Sequence, residues 1–113
     1  MDNNHINYIE FKANNIQRVK QFYTSVFHWK FIDYGDAYVA FENSGLQGGF
    51  TLSEEKIVNG ALIVLYHTNL EKIKDEVINN GGKVTQEIFE FPGGKRFHFL
   101  DTEGNELAIW SDQ

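Results

Sequence analysis

Two segments of this chain follow one pattern. Asn15-Ile16-Gln17-Arg18-Val19-Lys20 and Asn69-Leu70-Glu71-Lys72-Ile73-Lys74 both read Asn, branched aliphatic, polar, base, β-branched, Lys, and Asn69 lies 54 residues after Asn15 in a chain of 113. A repeat at half the chain length restricts the fold to an architecture built twice. It also supplies a ruler, because a residue in one half has a computable partner in the other.

Hydrophobic periodicity defines the repeated unit. Ile6-Asn7-Tyr8-Ile9-Glu10-Phe11 alternates as a strand, with Ile9 and Phe11 on one face and Tyr8 and Glu10 on the other. Asn14 and Asn15 offer a helix N-cap, and Ile16, Val19, Phe22, Tyr23, Val26 and Phe27 follow at helical spacing as far as His28. Residues 29–34, 37–42 and 47–52 read as strands, separated by Gly35-Asp36 and Asn43-Ser44-Gly45. The polar stretch 53–60, with Glu54, Glu55 and Lys56, is the linker. The order then restarts. Residues 61–66 form the most apolar strand, expected to be buried on both faces. Asn69 caps a helix carrying Leu70, Ile73 and Val77, closed by Gly81-Gly82. Residues 83–89, 96–100 and 106–110 are strands, joined by a mobile loop at Pro92-Gly93-Gly94 and a turn at Asp101-Thr102-Glu103-Gly104-Asn105. The reading is an α+β fold of two tandem βαβββ modules in one domain, module one about 5–52 and module two about 61–113.

Composition narrows the function classes. With 42% hydrophobic residues the chain can bury a core, about 65% of its unfolded surface at this size. A net charge of −6 argues against nucleic acid or an anionic membrane as partner. There is no cysteine, hence no disulfide, thiolate chemistry or zinc–cysteine site. No apolar run nears the ~20 residues of a membrane span, and Met1-Asp2-Asn3-Asn4-His5 has no signal-peptide core, so a cytoplasmic protein is expected.

Particular words carry a resemblance. Residues 18–31, with Phe22-Tyr23 and Val26-Phe27-His28-Trp29, resemble the first helix and second strand of the vicinal oxygen chelate superfamily, the group of glyoxalase I, extradiol dioxygenases and bleomycin-resistance proteins. Asp101-Thr102-Glu103-Gly104-Asn105 resembles its turn before the final strand, and Gly81-Gly82-Lys83-Val84 the exit from its second helix. The resemblance implies that each module curls its mixed sheet into half of a cup, helices outside, with the substrate held between the halves. It also implies up to four metal ligands, from the first and last strands of each module, of the His, Gln or Glu type.

Placed on this sequence, the family's first ligand position falls fifteen residues before Tyr23, on Tyr8, and the repeat pairs it with Leu62. The last-strand position is Ala108. Aligning Gly45 with Gly104, 59 residues on after a five-residue insertion, pairs Ala108 with Gly49. Leu, Gly and Ala cannot coordinate, and a neutral Tyr is a poor ligand with a pKa near ~10. The expectation is no metal and no cofactor. A register slip of two would instead bring in Glu10, Gln47 or Glu106.

Each remaining candidate has two readings. Glu10 and Glu106 share the cup-facing parity and are either functional, as a general base or anchors for a basic ligand, or solvated rim carboxylates. Gln47, the repeat partner of Glu106, is a ligand contact or a surface residue. His98 contacts the ligand if Phe97 and Phe99 pack under the helix, and lies on the other face if they do not. Tyr8, Tyr66, Trp110 and Tyr38 make an aromatic cavity or simply fill the cup.

The leading expectation is a metal-independent protein binding a small aromatic or cationic molecule through Tyr8, Glu10, Gln47, Tyr66, His98, Glu106 and Trp110, with no assigned catalytic residue. By resemblance it would be a homodimer. Two alternatives stay open: a divalent-metal lyase, isomerase or dioxygenase of the same superfamily, and a structural dimerisation module with a filled cup.

Overall fold

A computed structural model describes all 113 residues. It divides into two compact units, Met1–Lys56 and Ile57–Gln113, and the boundary falls inside the expected linker. The element order is β1 (Tyr8–Ala13), α1 (Ile16–Phe27), β2 (Lys30–Asp33), β3 (Tyr38–Glu42), β4 (Gln47–Leu52), then β5 (Ile63–Tyr66), α2 (Leu70–Asn79), β6 (Lys83–Phe91), β7 (Gly94–Leu100) and β8 (Glu106–Ser111). Each unit is one βαβββ module with one four-stranded mixed sheet, ordered β1-β4-β3-β2 and β5-β8-β7-β6. The first and last strands of each module pair in parallel and the others antiparallel.

The two registers coincide. Ile9, Glu10, Phe11 and Lys12 pair with Gly48, Gly49, Phe50 and Thr51; Ile63, Val64, Leu65 and Tyr66 pair with Leu107, Ala108, Ile109 and Trp110. All four pairs obey the offsets of 54 and 59 read from the sequence. The helices start alike as well. Asn15 Oδ1 accepts the amide of Arg18 at 2.9 Å, and Asn69 Oδ1 that of Lys72 at 3.1 Å. They end differently, α1 through His28 at φ 61° and α2 through Gly81 at φ 99°.

In the first unit α1 buries Val19, Phe22, Tyr23 and Val26 against an aromatic floor. Tyr23 stacks on Trp29 at 4.7 Å between ring centroids and meets Phe50 at 5.1 Å, and Trp29 meets Phe41 at 4.6 Å. In the second unit α2 sets Leu70, Ile73 and Val77 over a sheet whose covered side chains are Phe97, Phe99, Leu107 and Ile109, all buried. Strand alternation then sends the intervening residues to the opposite, helix-free face.

Two expectations are corrected. Strand β5 is not buried on both faces: Val64 and Tyr66 remain 43% and 47% exposed. It is an edge strand, so only Ile63 and Leu65 face the helix side. The hairpin loop expected at Pro92-Gly93-Gly94 is shorter than read, because Gly94 belongs to β7. Phe91 pairs with Gly94 across it, making a two-residue turn with Gly93 at φ 109°.

The turn 101–105 shows why its residues are what they are. Asp101 Oδ1 accepts the amides of Glu103, Gly104 and Asn105 at 2.8–2.9 Å, and Asn105 Nδ2 donates to Asp101 Oδ2 at 3.1 Å. A buried carboxylate thus replaces the ladder partners that the chain loses as it reverses.

Candidate functional site

Every candidate side chain stands on the helix-free face of its own sheet. In module one, Tyr8 is paired with Gln47 and Glu10 with Gly49. The Tyr8 and Tyr38 hydroxyls share a hydrogen bond at 2.5 Å. Burial, then hydrogen bonds to Tyr8 and Glu10, push the Tyr38 phenol well above its ordinary pKa. Tyr8 itself is 43% exposed, and Glu10 and Gln47 are exposed.

In module two the face of His98 is decided by its neighbours: Phe97 and Phe99 are fully buried under α2, so His98 turns the other way. Its Nδ1 lies 3.7 Å from Glu106 Oε2, its side chain is only 12% exposed, and its Nε2 has no partner. Glu106 also receives the Thr85 hydroxyl at 3.5 Å. An imidazole oriented by a carboxylate at one nitrogen and free at the other is equipped as a positioned base or donor. Tyr66 packs edge-on to Trp110 at 5.1 Å and donates to Asp112 Oδ1 at 2.5 Å. That bond raises the Tyr66 phenol and lowers the Asp112 carboxyl relative to their ordinary values.

One residue escaped the sequence reading. Arg96 shares the helix-free face of β7 with His98 and lies opposite Phe89 on β6 and Trp110 on β8. Its guanidinium carbon sits 5.3 Å from the Phe89 ring centroid and 5.6 Å from that of Phe91, and its Nε is buried without a partner. Both rings come from the stretch that makes module two longer. Eight residues separate Ile32 from its partner Ala40, whereas twelve separate Gln86 from its partner His98. Four of the five inserted residues therefore extend the β6–β7 hairpin, and module one has no counterpart.

The other histidines have local duties. His67 Nδ1 accepts the Asn69 amide at 2.9 Å just ahead of the α2 cap, His28 ends α1, and His5 sits by Asp2 near the N-terminus. An open groove of about 630 Å³ lies in module one, between the start of α1 and the β2–β3 turn. None of the candidate residues lines it, and Asp33 and Asp36 do.

The four positions where the resemblance puts metal ligands do not fit a metal. Three of them, Gly49, Leu62 and Ala108, have no side-chain donor atom, and the space at Gly49 is already taken: a Cβ there would lie 2.5 Å from the Tyr38 hydroxyl and 2.7 Å from the Val39 carbonyl oxygen. No group of three or more His, Cys, Asp or Glu side chains is placed to hold an ion.

Known proteins share this architecture. A glyoxalase/bleomycin resistance protein/dioxygenase family enzyme from Burkholderia phytofirmans PsJN superposes with a TM-score of 0.83 at 16% identity, over 94% of this chain and 97% of that one. The fosfomycin resistance protein FosX from Listeria monocytogenes gives 0.80 at 13% identity, over 95% and 92%. Lactoylglutathione lyase from Agrobacterium tumefaciens gives 0.74 at 14% identity, over 98% and 96%. These identities speak for the fold alone. No curated protein matches this chain in sequence. No helix is long and apolar enough to cross a membrane. The sequence profile of the Glyoxalase/Bleomycin resistance protein/Dioxygenase superfamily matches residues 5–109, nearly the whole chain, and with both modules, their registers and their caps in place the protein belongs to that superfamily.

Proposed function

We propose that this protein binds a small molecule on the helix-free faces of its sheets without a metal ion, and that it does so as a homodimer. The observation that carries the reading is the make-up of the module-two face. There an imidazole and a guanidinium each keep a buried nitrogen unpartnered, beside Tyr66 and Trp110. Buried polar atoms in a folded protein are normally satisfied, so two exceptions on one sheet face mark a place for an incoming partner. Tyr8, Glu10 and Gln47 supply polar contacts of the same kind on module one. The half-exposed apolar side chains of edge strand β5 support self-association.

Elemental analysis of protein purified without chelator, alongside a thermal-shift panel of small aromatic molecules, tests the reading. Sub-stoichiometric metal together with a ligand that raises Tm, and an effect lost in His98→Asn, is the expected result. Stoichiometric metal that disappears in Glu10→Ala or Glu106→Ala would overturn it in favour of a metalloenzyme. No Tm response to any compound would favour the filled structural module.

A further inference from the structure

The charge of the ligand can be read from Arg96. The chain carries 16 acidic residues against 10 Lys and Arg, so an arginine in a half-buried position should find a carboxylate easily. Lys12, Lys20 and Lys74 each do, with Glu55, Asp33 and Glu87. Arg96 has none. Glu106 on the neighbouring strand β8 is engaged with His98 and Thr85, and Asp112, just past that strand, with Tyr66. What holds the guanidinium is the pair of rings from the extended hairpin. Aromatic contact of this kind engages a guanidinium through its π-system and consumes none of its N–H donors, whose fork suits a planar oxyanion.

We propose that Arg96 is the anchor for a small organic anion, a carboxylate on a flat apolar body, with the carboxylate on the guanidinium and the body against Phe89, Phe91 and Trp110. This deepens the binding function proposed above and rests on it. It keeps the aromatic character expected from the sequence and reverses the expected charge, since Glu10 and Glu106 had suggested a cation. The rings explain the flat body: Phe91 lies 6.4 Å from Trp110 and Phe89 5.9 Å from His98, centroid to centroid, so the donor is rimmed by aromatic surface.

Three probes sharing one ring system test this by calorimetry at pH 7: 2-naphthoate, 2-naphthylmethylammonium and 2-naphthalenemethanol, with inorganic phosphate as a fourth. The expected result is that naphthoate binds at least tenfold more tightly than the other three. Arg96→Gln should erase the preference, and Arg96→Lys, which keeps the charge without the fork, should lose several-fold. Raising the salt should weaken naphthoate alone among the naphthyl probes, a readout in the unmodified protein that stands even if a variant folds poorly. Tighter binding of the ammonium, equal binding of all three naphthyl probes, or an unchanged preference in Arg96→Gln overturns the anionic assignment while leaving a binding protein. Phosphate binding as tightly as naphthoate overturns the role of the rings. If no naphthyl probe binds at millimolar concentration, the binding function fails and this inference with it.

Discussion

The half-buried Tyr38 spends its hydroxyl on neighbouring side chains, meeting Tyr8 and Glu10 and filling the space beside Gly49. Because the folded phenol holds its proton past the ordinary value of 10.0, its stabilising effect is complete below about pH 10. It falls away as the pH rises further, where the unfolded chain releases a proton that the folded chain keeps. Ultraviolet titration should show one tyrosine ionising after the others, a laggard absent in Tyr38→Phe. Urea unfolding of the wild type should lose stability from about pH 10 upward more steeply than that variant does. At Gly49 a methyl group would strike both the Tyr38 hydroxyl and the Val39 carbonyl oxygen, so Gly49→Ala should cost about 1–3 kcal/mol in chemical denaturation. Adding Tyr38→Phe should restore only part of that, because the backbone carbonyl remains. A full rescue would mean that the phenol alone sets the limit.

Among the elements, the two helices offer a matched pair of tests. Asn15→Ala and Asn69→Ala each remove a cap oxygen and should each cost about 1 kcal/mol. Unequal losses beyond about 1 kcal/mol would show that the repeat is equivalent in form but not in energetics. Asp101→Ala should cost more, about 2–4 kcal/mol, since one buried carboxylate serves three backbone amides and Asn105 Nδ2. Much of this was legible in the residues. Caps, helix faces and strand parity are local patterns, and the repeat fixed which strand residues were equivalent before any pairing was known. The exposure of β5 was not legible, because a run of apolar residues looks the same at the edge of a sheet as at its centre. Nor was the setting of Arg96. Register shifts lie between Val84 and Gln86 and again between Gln86 and Phe89, and they bring Phe89 opposite Arg96 against simple alternation. A bulge leaves no mark on hydrophobic periodicity, so Arg96 read only as the first residue of a strand.

For the molecule as a whole, sedimentation equilibrium should return twice the chain mass if the homodimer is right, and a monomer at tens of micromolar would overturn it. Surface electrostatics should matter little to folding. Lys20–Asp33 and Lys74–Glu87 are solvent-facing pairs, and breaking either should change stability by less than about 1 kcal/mol. The lengthened β6–β7 hairpin has a wider consequence. The chain carries two copies of one scaffold, and a copy of fixed length keeps its own sheet sound while its twin can vary. Here the variation is confined to one hairpin, whose added rungs from Phe89–Arg96 to Phe91–Gly94 lie at the turn end of β6 and β7. Trimming that hairpin to the length of its twin should therefore give a protein that still folds and has forgotten its ligand. Grafting it onto a relative with a shorter one should carry the preference across. In this lineage the unit of innovation would then be a hairpin, exchangeable like a tool in a common handle.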